Sequence, residues 1–148
     1  MRVPFLIGRL VFGGFFLYNG INHFKQRKAL AQHAGSKNVP MPEAAVTVSG
    51  ALLTLGGASI LLGVKPKLGA AAIIGFLAGV SPLMHDFWRI EDPNQRMNDM
   101  INFSKNVALL GGALALMSVE EPWPAGVPVA QPGRVERLRR FVRRPIAA

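Results

Sequence analysis

The runs AAVTVSGALLTLGGASILLG, Ala44 to Gly63, and LGAAAIIGFLAGVSPLM, Leu68 to Met84, decide the fold. Each is close to the roughly 20 apolar residues that carry a helix across a bilayer core. Neither shows strand alternation, and in lipid a chain satisfies its backbone only as helices or as a closed barrel. The first run offers as polar side chains only Thr47, Ser49, Thr54 and Ser59, and Leu68 to Ser81 carries no charge. A soluble four-helix protein would keep a polar stripe along every helix, so both runs read as membrane spans. Gly63 to Lys67 between them is a tight turn, with Pro66 suited to open the next helix, and the two spans form an antiparallel hairpin.

Working outward, Pro4 to Asn22 and Asn106 to Val119 are two further runs of the same kind. The last holds only about 14 strictly apolar residues, short of a full span, and Ile101 and Phe103 extend it while Lys105 snorkels. The first run resembles a secretory signal in having Arg2 before an apolar stretch. Leu17 to Phe24 lacks a small-residue cleavage pattern, however, and the run reads as a retained span. The expected fold class is all-α: a four-transmembrane-helix up-down bundle over residues 1–120, then a Pro-rich linker and basic amphipathic tail over 121–148. Too few of the 148 residues remain for a separate soluble domain.

The chain has no cysteine, which excludes disulfides, thiolate metal sites and thiol redox chemistry. Its net charge of +9 does not point to nucleic acid, because the basic residues sit in short loops and at the C-terminus, where anionic lipid is the natural counterpart. In the tail, Val135, Leu138, Phe141 and Val142 share one helical face opposite Arg137, Arg139, Arg140, Arg143 and Arg144. That pattern suits a helix lying on the membrane surface or, in the blander reading, a basic tail that only aids topology.

Four spans put both termini and the Gly63 to Lys67 turn at one face, A, and the connections His23 to Pro40 and His85 to Asn102 at the other, B. The cations nearest the spans favour face B as the inner side. The tail favours face A, because a basic surface helix gains most at an anionic cytoplasmic leaflet, and both termini are taken as cytoplasmic.

At face B the ends of all four spans lie at one depth. Asn19, Asn22 and His23 come from the first, Glu43 from the second, His85 and Asp86 from the third, and Asn102, Lys105 and Asn106 from the fourth. Ionisable groups at that depth are costly unless paired, so Glu43, His85, Asp86 and Lys105 are expected to form one cluster, walled by Asn22 and His23, over a small-molecule site. The alternative is that they only mark where each helix leaves the membrane. Arg9, about five residues inside face A, can snorkel to headgroups and joins Arg137, Arg140 and Arg144 as a candidate lipid-binding residue. His23 and His85 invite axial haem ligation, but they sit at span ends rather than mid-span, and haem is disfavoured. Three histidines without regular spacing give no metal site. No phosphate loop, nucleophile elbow or zinc-protease motif is present.

GRLVFGGFFLYNGINHF at Gly8 to Phe24, VPMPEAAVTVSG at Val39 to Gly50, HDFW at His85 to Trp88 and NFSKNVALLGG at Asn102 to Gly112 together resemble the DoxX family of small bacterial four-helix membrane proteins. Members resemble the membrane subunit of a thiosulfate:quinone oxidoreductase, and relatives are linked to oxidative-stress complexes. The resemblance implies the bacterial cytoplasmic (inner) membrane, quinone as a cofactor or substrate, and redox partner subunits. Membrane lipid and a second copy of the chain are the other expected partners; a purely structural or interaction role is the alternative.

If the tail lies on the membrane, replacing Arg137, Arg140 and Arg144 together by Gln should greatly weaken tail-peptide binding to anionic vesicles in a flotation assay, since each such residue contributes on the order of 1 kcal/mol. Unchanged binding, or equal binding to neutral vesicles, would exclude an electrostatic anchor.

Overall fold

The computed structural model describes residues 3–128. All regular structure in them is helical: α1 (Val3–Lys25), α2 (Arg27–Ser36), α3 (Pro42–Leu62), α4 (Pro66–Met84), a 3-10 turn (Phe87–Arg89) and α5 (Pro93–Met117). Four helices, α1, α3, α4 and α5, are long and apolar enough to cross a membrane. The protein is an all-α, multi-pass membrane protein. Arg137, Arg140 and Arg144 lie outside the described residues.

Local chemistry sets the helix ends. Pro42, Pro66 and Pro93 open α3, α4 and α5, at positions where a missing N–H leaves nothing unpaired. Gly63 closes α3 in the left-handed region at φ 66°, and Ser59 Oγ donates to the Val64 carbonyl at 2.7 Å, fastening the turn. Asp92 caps α5 by accepting from the Gln95 N–H at 2.7 Å. At 25 residues, α5 is about 37 Å long against a bilayer core of about 30 Å, so its polar first turns stand out at face B.

Two stretches carry more structure than their composition suggested. The first connection contains α2, whose Ala31 and Ala34 pack with Val46, Leu30, Val39 and Met84. The first part of the Pro-rich stretch, Glu120 to Pro128, folds back over face A. There Trp123 is buried as the face-A end of the core that runs through the bundle, and the Val127 N–H donates to the Leu62 carbonyl at 2.8 Å. A run of prolines cannot continue a helix, but it leaves carbonyls free to accept and an indole free to insert.

The spans pack in the order α1, α3, α4, α5. Lipid tails are as apolar as leucine, so helix association rests on close contact rather than on the hydrophobic effect. A Cβ at Gly57 would lie 2.7 Å from the Gly13 carbonyl and nearer still to the Leu17 nitrogen; α1 and α3 touch backbone to backbone. Gly56 likewise meets the Gly69 carbonyl, where a Cβ would be at 2.9 Å, bringing α3 against α4. Between α1 and α5, by contrast, Phe12 lies over Gly112 and a side chain fills the seam.

Gly57→Val should therefore separate α1 from α3 and lower the unfolding temperature in detergent sharply. Gly75→Ala, with nothing within 4 Å of the new methyl, should be neutral or raise stability by up to about 1 kcal/mol through helix propensity. Equal effects of the two would contradict the close α1–α3 seam.

Candidate functional site

At face B, α4 ends on Ser81 to Met84, with His85 as its cap, and Asp86 leads into the 3-10 turn. Lys37, the cap of α2, reaches across to this corner. Its ammonium donates to Asp86 Oδ1 at 3.3 Å and to Asp99 Oδ2, from the second turn of α5, at 3.2 Å. The other oxygen of Asp99 faces His85 Nδ1 at 3.4 Å. A carboxylate only accepts, so Nδ1 is the protonated nitrogen. Asp99 is buried, and Lys37, His85 and Asp86 are partly so.

Burial works against the Lys37 charge, but hydrogen bonds from Asp99 and Asp86, with their Coulombic attraction, carry its pKa above the ordinary lysine value. The raised value means that the contribution to stability is complete below the unfolded-state lysine pKa and is lost only as pH rises through the folded one. At neutral pH the pair is therefore fully formed. Phe87, Trp88 and Phe103 stack edge to face beside it, with centroids 5.2 to 5.8 Å apart, in the manner of aromatic side chains at a membrane interface.

Of the residues expected here, His85 and Asp86 are brought together. Glu43 is exposed and pairs with Arg27 instead. Lys105 is exposed, and Asn102 and Asn106 are half-buried; among the described residues none of the three has a side-chain hydrogen bond. Asn22 Oδ1 accepts from Gln26 Nε2 at 2.9 Å. His23 Nδ1 donates to the Asn19 carbonyl at 2.8 Å and sets its ring edge-on to Phe76, apart from the charged cluster.

Lys37 and Asp99 are the members that sequence reasoning passed over, treating both as loop charges. A signal existed for each. Asp99, Asn102 and Asn106 fall at helical spacing on one face, and Lys37 continues the inward face of Leu30 and Ala34.

At face A, Arg9 is 4% exposed and turns inward rather than to headgroups. It donates to the Pro124, Leu61 and Ala125 carbonyls at 2.7, 2.9 and 3.0 Å.

The DoxX family model matches residues 5–86, from the first turn of α1 through Asp86. No curated protein and no solved structure matches the chain.

Lys37→Met or Asp99→Asn should destabilise the protein in mixed micelles by about 1 to 3 kcal/mol, below the 3 to 5 of a fully buried pair because solvent reaches part of the cluster. Arg27→Gln and Glu43→Gln, an exposed pair, should each cost less than about 1 kcal/mol. Denaturation curves of the four variants check the order.

Proposed function

Because the chain belongs to the DoxX family, we propose that it is the membrane subunit of a quinone-linked redox assembly, in a bacterial cytoplasmic membrane with both termini on the cytoplasmic side. The observation that carries this reading is the partly buried Lys37, Asp86, Asp99 and His85 cluster at one end of an otherwise apolar bundle. A quinone headgroup presents carbonyl acceptors at interface depth while its tail stays in lipid. Lys37 supplies a polar hydrogen there, His85 presents Nε2 to the hydroxyl of the reduced ring, and Phe87, Trp88 and Phe103 supply a flat apolar flank. Quinone reduction takes up two electrons and two protons. Without thiols in the chain, a cofactor or a partner subunit supplies the electrons, and this subunit's part is to bind the ring and hold a proton donor against it.

A second reading has its own support. Both Asp86 and Asp99 are already paired with Lys37, which is what a purely structural staple requires, and under that reading the chain is an interaction protein without a small ligand.

Purification from native membranes, followed by mass spectrometry of extracted lipids and co-purified proteins, separates the two. Near-stoichiometric quinone that is lost in His85→Ala, with the fold retained, is the expected result. Intact wild-type protein free of quinone would favour the structural reading.

A further inference from the structure

We propose that α2 is a lid across the face-B end of the bundle and that Lys37 is its latch, a positioning residue for the ligand site; the inference rests on the function proposed above. The apolar packing of α2 is thin, with Met84 as its contact on α4. The helix lies against α3 and α1, and its buried residues are Ala31 and Ala34, whose methyl groups remove little apolar area from water. Toward α4 and α5 the polar connection is Lys37, bonded to Asp86 and to Asp99. Loss of that one side chain leaves two carboxylates facing each other and α2 with a shallow apolar contact.

The latch is also coupled to the site. Asp99 holds Lys37 on one oxygen and His85 on the other. Lid closure and the orientation of the His85 ring thus depend on the same carboxylate, and a ligand that draws on Lys37 or His85 acts on the lid.

The absence of cysteine from the chain makes a direct test available. Ala34→Cys places one thiol on the inner face of α2, where Ala34 is 6% exposed, and Ala70→Cys places one in the core at a residue with no exposure. Labelling of the full-length protein by N-ethylmaleimide in native-membrane vesicles, without added quinone, reads lid opening. Ala34→Cys should label at least about tenfold faster when combined with Lys37→Met or with Asp86→Asn and Asp99→Asn together, since either change breaks the paired charges. Ala70→Cys should stay slow in every background.

An unchanged Ala34→Cys rate overturns the proposal, as does acceleration from only one end of the latch. Equal acceleration at Ala70→Cys overturns it too, because Lys37 would then hold the whole fold rather than a lid. Repeating the measurement with a short-chain quinone tests the other reading separately. Latch-dependent labelling that no quinone alters would keep the lid and remove quinone as the ligand.

Discussion

A guanidinium stays charged at any accessible pH, so one enclosed by apolar helices must be met by acceptors inside the protein. Arg9 is such a group, about two turns into α1. Helical carbonyls are already spent on their own ladder, and the free ones lie past helix ends. Arg9 takes the Leu61 carbonyl from the last turn of α3 and those of Pro124 and Ala125 from the segment beyond α5, and only its Nε is left without a partner. This requirement joins α1, the end of α3 and the chain leaving α5 at one point. Trp123 can enter the core, edge-on to Phe5 at 5.2 Å, because the backbone on its C-terminal side is held there.

The other end of the bundle uses the same economy with a different cation. Lys37 brings together α2, the end of α4 and the start of α5, through carboxylates rather than carbonyls. Between the two ends the spans have little hydrophobic reason to associate. They rely instead on glycine contacts, Gly13 with Gly57 and Gly56 with Gly69, and on phenylalanine between α1 and α5. Close contact fixes which helices are neighbours, and the cations fix how the ends are closed.

What the sequence made legible follows from how local each signal is. The spans over α3 and α4 and the turn between them are readable because apolar length, a proline start and a glycine stop are written in adjacent residues. The start of α5 is not, since Pro93 to Ser104 is polar enough to resemble a loop until Asp92 is recognised as a cap. Arg9 announces a need for partners but not their identity, because main-chain carbonyls have no residue signature and the Pro-rich stretch that supplies them reads as a linker. Face B shows the same limit. Depth is legible from where each span ends, and it puts His85 and Asp86 at face B. Direction around the helix axis is not, and it separates Glu43 and Lys105 from Lys37 and Asp99 at similar depth.

The boundary of the family match gives that cluster a particular composition. Residues 5–86 include Lys37, His85 and Asp86, whereas Asp99 comes from α5, beyond the match. Within the matched segment alone, Lys37 would meet one carboxylate and His85 would have no acceptor. Asp99 completes both, at 3.2 and 3.4 Å. The fourth span is therefore more than a wall of the bundle, most of whose surface is open to lipid. By accepting from Nδ1, Asp99 orients the His85 ring and leaves Nε2 as the nitrogen open to whatever arrives at face B.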